Sequence, residues 1–449
     1  MAVLEHAIVM GGSVAGLLAA AALAPHSERV TIVDRDPLPA DGPEAFAPRR
    51  GVPQAGTVHR LLALGEARME QLLPGLREEL LAAGAAPRAA QEADPVLDAA
   101  MPYDGPDADA AGASSDESGS ADPDSVDTAP AGTATAPTVP EGTAPEAPGV
   151  DDPGTLWLTR PLLEGVLRRR VLSLANVDAL QGAVGGLLTT DDQRIVTGVQ
   201  LRGATPDELH GDLVVDVAGR SSRAATWVEG LGAARPRTLG TRVHVAYSCQ
   251  RLRLRDGALP AGTEALSAPA SGRSPFTIDL EPCGDGEHIL SVAGTGRSEP
   301  PTDLEGLLDM VALLPSREIA DALDSALEDA EPVGETSTAK AAGAHRQLWE
   351  ETADAPEGLV HVGDAAAMFT PLYGQGMTMA AVGAAALGEE LGEHGADGLA
   401  ARFPRVLGAL LDPAWEITTS RDARIPGAEL LVDGAVVEEL PAPGLQPAR

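Results

Sequence analysis

Two small-residue stretches near opposite ends of this 449-residue chain carry side chains that could do chemistry. The first, AIVMGGSVAG, places Gly11, Gly12, Ser13, Ala15 and Gly16 directly after an apolar run. Gly11, Ser13 and Gly16 fill the three key positions of GxGxxG, whose glycines let a backbone turn approach a pyrophosphate at a helix N-terminus. Ser13 stands where the second glycine belongs and is the smallest substitute that keeps a donor. The second stretch, GDAAAMFTPLYGQGM, supplies a carboxylate at Asp364 and another Gly-rich helix start across Pro371, Gly374, Gln375, Gly376 and Met377. Amide dipoles for phosphate and carboxylates for sugar hydroxyls describe a nucleotide cofactor, and the two stretches together point to a flavin. Ser13 as a hydrolase nucleophile is disfavoured, because GxSxG requires glycine where Ala15 stands.

These groups need a scaffold. Val3 to Met10 reads as a strand, Val14 to Ala24 as a helix stopped by Pro25, and Arg29 to Asp34 as the next strand. Asp34 follows Gly16 by 18 residues, close to the roughly 20-residue offset of an acid that accepts ribose hydroxyls. Leu61 to Ala83 is amphipathic, Pro161 to Leu174 is helical, Gln193 to Arg202 and Asp212 to Val217 read as strands, and strand signals dominate Arg242 to Arg255 and Phe276 to Val292. Thr302 to Leu327 is helical, and Leu359 to Val362 is the strand that feeds Gly363.

Composition narrows the function. A net charge of −35 argues against nucleic acid and anionic membrane as partners. Tyr103 to Gly154 holds 12 Asp and Glu and no Lys or Arg, in a Pro/Ser/Thr/Ala/Gly background that predicts disorder. No apolar run approaches the roughly 18 residues of a membrane span. With Glu5 and no basic leader near the N-terminus, the expectation is a cytoplasmic protein without a signal peptide. Cys249 and Cys283 offer neither a disulfide framework nor metal-ligand spacing, and the nine histidines are scattered, so no metal site is expected.

GDAAAMFTPLYGQGM together with GGSVAG resembles the group A flavoprotein monooxygenases, most closely their actinobacterial polyene and polyether epoxidase-like members. The resemblance covers most of the chain apart from the acidic insert; RRGVPQ, TRPLLE, GLVHVGDAAA and DPAWEITTSRDARIP also look familial. It implies an α/β fold: a Rossmann-like, glutathione-reductase-type FAD-binding domain with a mixed β-sheet substrate domain. On that basis the FAD domain occupies 1–90, 155–237 and 355–410, the insert 103–154, the substrate domain 238–350 and a C-terminal segment 411–449. The resemblance assigns Asp364 to the ribityl chain, Pro371 to Met377 to the pyrimidine side of the ring, and Arg160 and Val184 to the phosphates and adenine. Asp34 and Arg35 complete the expected cofactor set. A helix starting near Gly374 would aim positive dipole at the reduced ring.

The resemblance implies oxygen insertion from O2 through a flavin C4a-hydroperoxide, the cofactor carrying the hard step. Pro371 and Gly374 would shape the oxygen-reacting face; Met368, Phe369, Leu372 and Tyr373 are candidate pocket walls. Only 11 residues are aromatic, which predicts an aliphatic pocket for a small hydrophobic substrate. For a phenol the only nominated bases are His59 and His244. The strand DLVVDVAG carries Ala218 where the family's motif has Asp before Gly219. Two readings stay open: reduced flavin supplied by a separate reductase or weakly docking NAD(P)H, or direct NAD(P)H reduction with Ala218 a neutral variant. The competing functions are a flavin-dependent reductase or dehydrogenase of an isoprenoid-like or polyketide substrate, and a non-enzymatic flavin-binding interaction protein.

Overall fold

A computed structural model describes residues 3–57, 59–88, 155–270, 274–296 and 298–439; the predicted acidic insert lies outside the described residues. Strand β1 (Leu4–Met10), helix α1 (Val14–Leu23) and strand β2 (Ser27–Asp34) form the opening unit. Helix α2 (Ala63–Leu72) follows, then α3 (Arg160–Leu172), β3 (Val177–Gln181) and β4 (Leu213–Asp216). A second sheet uses β5 (Val245–Arg253), β6 (Phe276–Gly284), β7 (Glu287–Thr295) and β8 (Glu331–Ala341), with helices α4 (Leu304–Ala312) and α5 (Arg317–Leu327) between β7 and β8. Strand β9 (Leu359–His361), helix α6 (Gln375–His394) and helix α7 (Leu399–Asp422) return the chain to the first domain.

The first sheet is parallel throughout, in the order β9-β4-β1-β2-β3. Helices cover one face and a three-stranded meander the other, so the central strands are apolar on both sides. Ala7 and Val9 of β1 join the layer formed by α1, α3 and α6, while Ile8 and Met10 meet Val196, Val199 and Leu201 of the meander. Alanines make the seam between α1 and α6, and a Cβ added at Gly388 would stand 3.4 Å from that of Ala22.

The second sheet is antiparallel, with Leu266–Ala268 at one edge followed by β6, β7, β5 and β8. Its outer face packs Ile278, Leu280, Leu290 and Val292 under α4 and α5, which bury Leu307, Val311 and Leu323. The strand run predicted from Phe276 to Val292 is a hairpin turned at Asp285 and Gly286, whose φ values of 55° and 71° fit the turn that hairpin twist favours. Two predicted helical stretches are each two helices. Leu61 to Ala83 breaks at Pro74–Gly75, and Thr302 to Leu327 breaks around Pro315, because neither segment can continue a helical ladder through proline. A further antiparallel sheet pairs Arg237–Arg242 with His345–Leu348 and with Glu429–Val432. Among the described residues no helix is long and apolar enough to cross a membrane.

Candidate cofactor-binding site

The glycine turn has the tight geometry its pattern demands. Gly11 adopts φ +120°, and a Cβ on Gly16 would sit 1.8 Å from the Gly11 carbonyl oxygen, so α1 starts directly against the turn. Asp34 at the end of β2 braces it: Oδ2 accepts the Gly12 N–H at 2.6 Å and Oδ1 the Asp36 N–H at 2.8 Å. The Ser13 side chain does not cap α1, leaving the first-turn amides open. Its hydroxyl donates instead to Glu164 at 2.6 Å and accepts from Arg160 at 2.8 Å.

Glu164 is the hub of this corner. Arg49 and Arg160 donate to it at 2.9 Å each, and Arg168 lies 3.6 Å away. Burial alone would raise the Glu164 carboxyl, but the Arg160 and Arg49 charges and the Ser13 hydroxyl hold it down at about 2. Arg49 also donates to the Gly12 carbonyl, while its Nη1 is buried with no hydrogen-bond partner, 3.6 Å from Asp34. Arginine charge therefore gathers at the open N-terminus of α1.

The second motif meets the first here. A Cβ on Gly363 would stand 2.9 Å from the Ala15 Cβ, so the GD turn lies on the first turn of α1. Asp364 is an exposed residue and has no hydrogen-bond donor among the described residues. Burial raises its carboxyl, partly offset by Arg160 and Arg220. Gly376 stands beside it, its would-be Cβ 4.0 Å from the Asp364 Oδ1. Pro371 is exposed, Gly374 takes a left-handed φ of 67° as N-cap of α6, and Gln375 and Met377 are buried in its first turn. An uncapped helix N-terminus, the Arg49 and Arg160 guanidinium groups beside it and an exposed acid with no hydrogen-bond donor among the described residues fit a pyrophosphate and a polyhydroxyl chain.

The remaining expected residues divide. Arg35 is exposed just beyond Asp34, and Val184 lies on the meander against the core beneath β1 and β2. Phe369 is core rather than pocket wall, packed edge-on to Trp415 at 6.2 Å, and Met368 is half-buried in a two-residue strand paired with His345–Leu348. Leu372 packs against the cluster around Tyr247, and the Tyr373 hydroxyl donates to Asp422 at 3.0 Å. His244 is exposed, whereas His59 is enclosed beside Arg160 and Glu164, and burial followed by the Arg160 charge pushes its imidazole down to about 4. At such a value His59 is neutral near pH 7. In place of the missing Asp before Gly219, Asp216 two residues earlier accepts from the Ala218 N–H, the Ser222 hydroxyl and His361, and is fully buried.

Opposite the Pro371–Gly376 turn lies the inner face of the second sheet. Strand alternation places Tyr247, Cys249, Ser291, Ala293, Asp279 and Glu281 on it, with Leu372 packed against the Tyr247 cluster. This floor mixes the acids Asp279 and Glu281 with an apolar cluster of Val245, Tyr247, Cys249, Cys283 and Ile289, while the opposite face is apolar under α4 and α5. The Tyr247 phenol is buried with no hydrogen-bond partner among the described residues. Arg60, beside Gly374, crosses to the floor and bonds Asp279 at 3.2 Å and Glu281. Burial raises the Glu281 carboxyl and Arg60 opposes the rise. A small cavity between the domains is lined by His59, Trp157, Thr159, Glu281, Cys283 and Ile289.

This architecture is that of the FAD-dependent monooxygenases and halogenases. PqsL, a probable FAD-dependent monooxygenase from Pseudomonas aeruginosa, superimposes with a TM-score of 0.56 at 14% identity over 93% of both chains. The flavin-dependent brominase Bmp2 does so with 0.52 at 12% identity, over 93% of this chain and 83% of that one. No protein-family profile matches the sequence. The chain belongs to the family of Protein Rv3254 of Mycobacterium tuberculosis, to which it is 30% identical over 93% of its own length and 80% of that protein's.

Proposed function

We propose that this protein binds FAD and inserts one oxygen atom from O2 into a small, largely hydrophobic molecule, by epoxidation or hydroxylation. The observation that carries the reading is the meeting of the two distant motifs: the Gly363–Asp364 turn packs on the first turn of α1, whose N-terminus is flanked by Arg49 and Arg160, and Asp364 has no hydrogen-bond donor among the described residues. Arg49, Arg160 and the open amides of α1 would hold the pyrophosphate, Asp364 the ribityl hydroxyls, and the Gly374–Met377 amides the pyrimidine edge. FAD, when bound there and reduced, supplies the oxygen activation. The chain's own part is to bind, orient and keep water out. The α6 N-terminus stabilises negative charge at the pyrimidine edge, and Arg60 with Glu281 closes the space between the turn and the sheet floor. Glu281, paired with Arg60, and the Tyr247 phenol, with no hydrogen-bond partner among the described residues, line this face toward a polar group on the substrate.

The test is a stopped-flow spectrum of FAD-reconstituted, chemically reduced protein mixed with oxygenated buffer. A transient distinct from both reduced and oxidised flavin supports oxygenation. Direct return to oxidised flavin, repeated across a panel of alkenes and phenols, overturns it in favour of a reductase. Electrons come from NAD(P)H or from a separate flavin reductase, and anaerobic bleaching of bound FAD by NADPH at a turnover-competent rate decides for the first.

A further inference from the structure

The late segment Asp412 to Pro426 stands out in the sequence, yet none of its side chains lines the cofactor cleft described above. It holds a buried acid. Asp422, the last residue of α7, has no exposed surface. Its Oδ2 accepts from the Thr241 hydroxyl at 2.5 Å and the Thr370 hydroxyl at 2.6 Å, and its Oδ1 accepts from the Tyr373 phenol at 3.0 Å. Thr241 accepts the Ala344 N–H in turn. All three side-chain donors are neutral hydroxyls, which makes a costly site for a carboxylate and one that breaks sharply when a partner is removed.

Two of the three donors flank the cofactor-facing turn. Thr370 and Tyr373 bracket Pro371 and Leu372, and the next residue is Gly374, the N-cap of α6. The turn's own backbone bonds are long, 3.4 Å from Tyr373 N to the Thr370 oxygen and 3.2 Å from Gly374 N to the Pro371 oxygen. The Arg421 guanidinium lies over the Tyr373 ring at 5.4 Å. The turn is therefore anchored from outside itself, by the end of α7.

We propose that Asp422 is a positioning residue: through the Thr370 and Tyr373 hydroxyls it fixes the Pro371–Gly376 turn, and with it the direction of the α6 amides that meet the flavin. The flavin half of this statement rests on the FAD reading above; the anchoring of the turn does not. Two measurements separate them. Hydrogen exchange on apoprotein, comparing wild type with Asp422→Ala, is expected to show faster exchange across residues 370–377 and unchanged exchange in β1 and α1. Titration with FAD is expected to show affinity weakened about tenfold, Tyr373→Phe a smaller loss, and the double variant no worse than Asp422→Ala alone, since both remove the same interaction. Unchanged exchange over 370–377 overturns the anchoring. A fall in melting temperature with unchanged FAD affinity leaves Asp422 a stabilising residue only and overturns the cofactor role. Wild-type protein that fails to bind FAD refutes the FAD reading and the cofactor role, while the exchange result still decides the anchoring. Should Asp422→Ala not fold, Thr370→Val and Tyr373→Phe each delete one hydroxyl and are read the same way.

Discussion

Replacing Glu164 with Gln keeps the side chain's shape and deletes the charge that Arg49, Arg160 and Arg168 share. The carboxyl falls from 4.5 to about 2 in the folded protein. At about 1.4 kcal/mol per pKa unit, ionised Glu164 contributes roughly 3 kcal/mol near neutrality, in keeping with the roughly 3–5 kcal/mol expected when one partner of a buried ion pair is removed. Because the folded value is depressed, this stability is fully present well above the unfolded value of 4.5 and is lost as pH falls toward 2. Urea denaturation of apoprotein should therefore show Glu164→Gln less stable than wild type by about 3 kcal/mol at pH 7 and by only about 2 kcal/mol at pH 3.5. A gap below about 1 kcal/mol at pH 7, or one that does not narrow toward acid, would refute the claim that the arginines hold this carboxylate ionised.

Three further outcomes follow from the same geometry. Asp364→Asn should weaken FAD binding by roughly tenfold or more while leaving apoprotein as stable or slightly more so. Its raised carboxyl means that ionisation costs stability as pH climbs from the ordinary carboxylate value, a cost the amide escapes; isothermal titration and thermal melts check both. Gly16→Ala should prevent stable folding or lower the melting temperature sharply, since its Cβ would lie 1.8 Å from the Gly11 oxygen; far-UV circular dichroism on heating reads this. Tyr247→Phe should leave apoprotein stability unchanged or raise it by up to about 1 kcal/mol, as a buried hydroxyl without a partner is removed, and denaturant titration measures it.

The parts legible in the sequence are those where backbone geometry dictates residue type. Gly11 and Gly16 mark a close helix start, and Gly363 with Gly374 marks two left-handed positions in a row of turns, so both motifs could be placed on their elements without coordinates. What stayed hidden depends on side chains distant along the chain. Arg49 and Glu164 are 115 residues apart and Thr241 and Asp422 are 181 apart, and although RRGVPQ, TRPLLE and DPAWEITTSRDARIP contain three of the four, nothing within those segments says which distant side chain each one meets. The acids of the sheet floor were missed for a different reason. Composition counts residue types without saying which face of a strand they occupy, and Asp279 and Glu281 alternate with Ile278 and Leu280 of the outer face.

The parallel sheet also dictates an order of events during synthesis. Strand β9 closes the sheet by pairing with β4, Leu359 opposite Val214 and His361 opposite Asp216. Between the two the ribosome must translate an entire second domain, which takes roughly ten seconds or more. Throughout that interval Leu213–Asp216, whose Val214 and Val215 end fully buried, is an open strand edge able to pair with a neighbouring nascent chain. Asp364 and the Gly374 turn emerge later still, so no nucleotide can rescue the half-made protein. A ligand that needs Asp364 can therefore stabilise only a chain whose first sheet has already closed.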